Sequence, residues 1–204
     1  MTHVGQRERI TQNRVVSLFR ETLGYKYLGN WEYRHGNNNV EEGLLRAYLQ
    51  RRGYADALID RAIFKLTQAA SDQSKELYYV NQDVYSLLRY GIKVKADVGD
   101  QTQTVWLIDW EHPRENDFAV AEEVTVTGVH AKRPDIVLYA NGIALGVLEL
   151  KRSIVAVSEG IRQNLDNQKK DFIQPFFATV QLIMAGNDTE GLRTASSKPP
   201  KNTI

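Results

Sequence analysis

Asparagine followed by glycine at 141–142, set between the apolar runs DIVLYA and IALGVLEL, constrains this chain more than any other feature. Asn-Gly between alternating apolar residues is the strongest short-range signal for a β-hairpin. This hairpin opens on Asp135 and ends on Glu149-Leu150-Lys151, charges that a strand pair does not need in order to fold. Two registers are open. If Asn141 and Gly142 alone form the loop, Ala140 pairs with Ile143, Asp135 with Leu148, and Glu149 points to the opposite face. If Ala140, Asn141 and Gly142 form a three-residue loop, with Gly142 left-handed in a G1 bulge, Asp135 pairs with Val147. Glu149 then lies diagonal to Asp135 on one face, and Lys151 follows on that face. A site at these charges is therefore expected from the bulged loop.

The charges suit one chemistry. Two carboxylates beside apolar side chains repel each other, and at least one tends to take up a proton. A divalent cation removes that repulsion. Mg²⁺ accepts one or two protein carboxylates and keeps several waters or phosphate oxygens, so Asp135 and Glu149 are candidate ligands, with the carbonyl of Leu150 a further one. Lys151 cannot join the metal. Its ammonium suits a scissile phosphate, where it offsets charge developing in the transition state. The implied reaction is phosphodiester hydrolysis. ELK alone is a common, ordinary strand end. PD, a hairpin, ELK and a following polar helix make a far more specific combination.

The remaining chain is read more coarsely. Apolar spacing predicts helices over 8–23, 40–52, 55–70 and 81–91, with Asn81 a candidate cap for the last. Residues 102–110 and 119–128 are rich in β-branched and aromatic residues and read as strands. Residues 158–177 read as a helix with Ser158 at its N-cap and Pro175 at its end, and 179–186 as a buried strand. This order predicts an α/β (α+β) domain with a central mixed β-sheet flanked by helices. Hydrophobic residues are 42% and charged residues 25% of the 204, and the net charge is only +1, so bulk charge does not announce a nucleic-acid binder. There is no cysteine, which excludes thiolate metal sites and disulfides and fits a reducing compartment. No signal core or membrane-length apolar run occurs, and a cytoplasmic protein is expected. His3, His35, His112 and His130 lack zinc spacing. Basic residues gather near the hairpin, among them Arg152, Arg162, Lys169 and Lys170. They suit phosphate contacts that carry no sequence information.

Pro134-Asp135 with Glu149-Leu150-Lys151 resembles the PD-(D/E)XK nuclease signature. More narrowly, HAKRPDIVLYANGIALGVLELKRS, then GIRQNLDNQ and VQLIMAGNDTEG, is similar to the N-terminal nuclease region of the R (restriction) subunit of type I restriction–modification enzymes. The resemblance covers roughly residues 6–193 and is densest from 102 to 193. It implies a restriction-endonuclease-like core at 1–193 with a helical insertion at 35–100, followed by a disordered, non-family tail at 194–204 in a truncated chain. It implies metal ligation by Asp135 and Glu149, and Lys151 as the catalytic lysine. It also implies double-stranded DNA as substrate, methyltransferase and specificity subunits as partners, and an ATP-driven motor, for which this chain carries no Walker-type glycine loop. Many members carry Gln-x-x-x-Tyr in the next helix. Gln163 matches, while Asn167 stands at the tyrosine position. A solvent-facing helix residue is the other reading of Gln163. Members often add an acid from the first helix. Glu8 is the candidate ligand here, and a favourable charge on the helix dipole is its other reading. A different class also fits: a non-catalytic docking module that presents the 40–91 helices to helicase or methyltransferase subunits.

Overall fold

The computed structural model describes the main chain of residues 3–195 and the side chains of residues 9–195. Its elements are α1 (His3–Ser17), extended by a π-helical turn at Leu18–Thr22, then β1 (Lys26–Asn30), α2 (Glu42–Arg51), α3 (Asp56–Ala70) and α4 (Leu77–Tyr90). They continue through β2 (Ile92–Val94), β3 (Gln103–Val105), β4 (Phe118–Glu122), β5 (Ile136–Ala140) and β6 (Ile143–Leu150). The last are α5 (Val157–Asn167), β7 (Leu182–Asn187) and β8 (Gly191–Ala195). Six strands form one mixed sheet in the order β1-β4-β5-β6-β7-β8, and β2 and β3 form a separate two-stranded ribbon. β6 and β7 are parallel, with α5 as the crossover between them. A parallel neighbour needs such a crossover, because a tight turn can only reverse the chain. Helices flank a mixed sheet, the restriction-endonuclease-like arrangement expected from the sequence.

Period-two alternation sorts the central strands onto two faces. Ile136, Leu148 and Met184 share one face with Val120 and pack against Val16 of α1. Val137, Val147 and Ile183 share the other with Ile173, Phe176 and Phe177. The hairpin register corrects the sequence expectation. Ala140 pairs with Ile143, so the loop has two residues. Asn141 and Gly142 both have positive φ, 53° and 84°, as a type I′ turn requires. The bulge lies further along β6: Tyr139 pairs with Ala144 but Leu138 with Gly146, leaving Leu145 as the extra residue.

A second core explains why the loop is tight. α2, α3 and α4 bury Leu45, Leu49, Ile59, Leu66 and Val84 against Ala140 and Ile143 at the hairpin end. A Cβ on Gly142 would stand 2.8 Å from the Glu41 carbonyl oxygen, Leu44 Cβ and Leu45 N. Asn141 is fully buried, and its amide donates to the Leu107 carbonyl and to Asn116 Oδ1, both at 2.8 Å. The helices thus sit directly on the turn.

Several elements differ from their predicted limits. β1 and β8 were not expected, and Thr194 and Ala195, expected in a tail, are the last residues of β8. Residues 196–204 lie outside the described residues. α4 begins four residues before Asn81, whose amide instead donates to the carbonyls of Phe177, Ala178 and Val180. α5 ends at Asn167 rather than near Pro175, and Ser158 is not its cap. It buries Gly160, Asn164 and Asn167 while Leu165 stays exposed, the reverse of what its apolar spacing suggests. Among the described residues, no helix is long and apolar enough to cross a membrane.

Candidate active site

Pairing of Ile136 with Leu148 fixes the end of the hairpin. One residue further, Asp135 stands opposite Glu149, on the face of Val137 and Val147. The bulge at Leu145 supplies the one-residue shift that a two-residue loop alone lacks, so the two acids meet by a route the sequence reading did not contain. The Leu150 amide donates to Asp135 Oδ2 at 2.6 Å, which ties the two strand ends together.

Lys151 follows on the same face. Its ammonium donates to Glu149 Oε1 at 2.8 Å and to Gln163 Oε1 at 2.6 Å, and its side chain is only 15% exposed. Its amide donates to the Gly186 carbonyl on β7 at 2.9 Å. Gln163 is therefore a contact of the lysine, not only a solvent-facing residue. Gly160 allows that contact. A Cβ there would lie 2.8 Å from Ala185 Cβ, 3.3 Å from Lys151 Cγ and 3.5 Å from Glu149 Cγ. Only glycine lets α5 sit low enough on β6 and β7. A sequence scan for charged motifs has no reason to mark this residue.

Glu149 is 2% exposed and Asp135 half-buried. Burial first, and then the Glu149 charge, push the Asp135 carboxyl up to about 8. The Leu150 amide and the Lys151 ammonium oppose that rise, and Glu123 adds to it. Glu123 lies beside Asp135 at the end of β4, where its amide donates to the Asp135 carbonyl at 2.8 Å. It adopts φ 52°, and Arg133 Nε holds its Oε2 at 2.9 Å. The consecutive Glu122-Glu123 at a strand end was the available signal. Glu122 faces the other way and is buried, taking hydrogen bonds from Tyr27 at 2.6 Å and Gln12 at 3.1 Å.

Among the described residues, no three His, Cys, Asp or Glu side chains converge as a metal centre. The donors expected from the sequence are the Asp135 and Glu149 carboxylates, which meet here, and the main-chain oxygen of Leu150. That all-oxygen set fits Mg²⁺, which keeps several waters and takes few protein carboxylates, and it does not fit zinc. A carboxyl raised by burial and a like charge is the electrostatic signature of a place suited to a cation.

The other expected residues separate. Arg152 adjoins Lys151. Arg162 is exposed next to Gln163 and pairs with Glu159 Oε1 at 3.0 Å. Lys169 pairs with Asp166, and Lys170 borders cavities lined by Phe172, Gln174 and Phe177. As a crossover helix, α5 runs opposite to β6, so Lys169 and Lys170 lie at its end away from Glu149. The Glu8 side chain lies outside the described residues.

Residues 5–202 match the family described as type I restriction enzyme R protein N terminus. The chain is 29% identical over 197 residues to the type I restriction enzyme HindI endonuclease subunit of Haemophilus influenzae, covering 87% of this chain and 18% of that protein. It is 30% identical over 105 residues to the type I restriction enzyme EcoprrI endonuclease subunit of Escherichia coli, covering 50% of this chain and 34% of that protein. The chain therefore spans between about a fifth and a third of these relatives. The match over nearly all its length shows that this chain belongs to the family of type I restriction enzyme R protein N termini.

Proposed function

We propose that this chain is an Mg²⁺-dependent endonuclease region that hydrolyses phosphodiesters of double-stranded DNA. One observation carries the reading: Asp135 and Glu149 share one face at the end of the hairpin, and the Lys151 ammonium spans Glu149 and Gln163. Asp135, Glu149 and the Leu150 carbonyl would hold Mg²⁺. The ion, when bound, supplies charge neutralisation at the phosphate and makes water more acidic. Lys151 places its charge where the phosphorane builds negative charge, and Gln163 orients it. Water forms the new bond to phosphorus and gives up a proton to solvent as the bond to the leaving oxygen breaks, and the leaving oxygen takes a proton from solvent. Arg152 and Arg162 hold neighbouring phosphates, and Lys169 and Lys170, beyond the far end of α5, meet phosphates further from the site. Membership of this family suggests ATP use by a motor, and methyltransferase and specificity subunits as partners.

The test uses the R subunit assembled with its partner subunits. Glu149→Ala and Lys151→Ala are each expected to lower DNA cleavage at least about 100-fold with the fold intact. Glu149→Ala also loses Mn²⁺ binding, while Lys151→Ala keeps it. Normal cleavage by both variants would overturn the nuclease reading and leave the scaffold role of the 40–91 helices.

A further inference from the structure

The segment from Lys151 to Val157 joins β6 to α5, so it decides where the lysine and Gln163 stand relative to each other. It has no regular structure over residues 151–156. Its shape comes from a neighbour far along the chain, the turn between β7 and β8. That turn has three residues, since Asn187 pairs with Gly191, and Gly191 closes it at φ 74°.

Each hydrogen bond across this junction runs to the main chain of the segment. The Asn187 amide donates to the Val155 carbonyl at 2.8 Å, and the Thr189 hydroxyl to the Ser153 carbonyl at 3.3 Å. Glu190 Oε1 accepts from the Val157 amide at 2.9 Å and so caps the first turn of α5, a place where Ala156 offers no side-chain acceptor. Asn187 is 6% exposed, and its Oδ1 accepts from the amides of Glu190 at 2.6 Å and Thr189 at 3.0 Å. One buried asparagine therefore shapes the turn and grips the segment together. The turn is braced from the other side of the sheet, where Asp188 takes the Thr11 hydroxyl at 2.9 Å and the Arg14 guanidinium.

We propose that Asn187 and Glu190 are positioning residues, which seat the Lys151–Val157 segment and the start of α5 so that the Lys151 ammonium meets Gln163 beside Glu149. The inference rests on the nuclease reading for its purpose, though not for its geometry. The bonds that Asn187 and Glu190 make to this segment run to its main chain, at Val155 and Val157, and not to the lysine head group. A misplacement of about 1 Å at a reacting group costs on the order of 100-fold in rate. Loss of a cap and a buried carbonyl partner is enough to release such a movement in a segment without its own ladder.

The experiment uses this chain, labelled for side-chain NMR, and the assembled enzyme. In the wild type, the Lys151 and Gln163 side chains give a direct contact signal. Glu190→Ala and Asn187→Ala lose that signal while Mn²⁺ binding stays within about twofold. Glu190→Gln, which keeps the Oε1 acceptor, restores it. In the assembled enzyme the alanine variants lower the cleavage rate about 10- to 100-fold at unchanged DNA affinity. A retained contact signal in folded Glu190→Ala overturns the inference, as does a Glu190→Gln variant no better than alanine. If Asn187→Ala does not fold, the Glu190 pair decides alone. A wild-type chain that shows the contact and binds no Mn²⁺ removes the nuclease reading and leaves the positioning result standing.

Discussion

Asp135 shows how much one side chain can carry. Its carboxyl is raised by burial and by Glu149, so the folded state holds the proton more tightly than the unfolded chain does. The proton's stabilising contribution is complete below the unfolded value of about 4 and is lost as pH rises through the folded value. The metal-free chain is therefore expected to lose stability from about pH 4 up to about pH 8. Asp135→Asn keeps an oxygen for the Leu150 amide and cannot ionise. Its melting temperature should exceed that of the wild type at pH 8, and the difference should shrink toward pH 5. Mn²⁺ should raise the wild-type melting temperature at pH 8 and leave Asp135→Asn unchanged, because binding to the folded state alone stabilises it. Thermal melts across that range, with and without the ion, check both statements.

Among the elements, α5 departs furthest from its pattern. Its buried stripe is Val157, Gly160, Asn164 and Asn167, a seam of small and polar residues. The Asn164 amide donates to the Met184 carbonyl at 3.0 Å, which holds the helix to β7. Close approach rather than apolar area sets the height of this helix, and Gly160 permits that approach. Gly160→Ala gains about 1 kcal/mol of helix propensity. It is nonetheless expected to destabilise the fold by about 1–3 kcal/mol, the usual cost of overpacking a close contact. The readouts are denaturant unfolding and the Lys151–Gln163 contact, which should weaken as α5 lifts. A stabilised variant would show that the helix has room to spare. Periodicity cannot reveal such a seam. It reports apolar faces, and here three of the four buried positions, Gly160, Asn164 and Asn167, are small or polar.

At the scale of the molecule, two cores meet at the hairpin turn. Ala140 and Ile143 belong to the core of α2, α3 and α4, whereas Tyr139 and Ala144 belong to the sheet core. Arg52 pairs with buried Asp109 at 2.9 Å, the Asn116 amide donates to the Asp109 main-chain carbonyl, and the Asn141 amide donates to Asn116 and to the Leu107 carbonyl. The helical segment and the sheet therefore share residues rather than a linker. One cooperative transition is expected, with amides of α3 and β6 exchanging at the same free energy in native-state hydrogen exchange. Separate exchange of α3 at a markedly lower free energy would show an independent unit.

Much of this was legible in the residues. Asn-Gly announced the hairpin because few residues accept positive φ twice in succession. Asp135, Glu149 and Lys151 stood out because strands do not need charges at buried ends. The helices at 42–51 and 56–70 followed from their spacing. Other features were written in distant partners. The bulge at Leu145, which brings the acids opposite each other, has no turn residue to mark it. The grip of Asn187 and Glu190 on Val155 and Val157 joins positions more than thirty residues apart. Local propensity and hydrophobic period act over a few residues, so they name elements and candidate groups. Register, close approach and the meeting of side chains depend on which surfaces pack together, and packing exists only once the chain has folded.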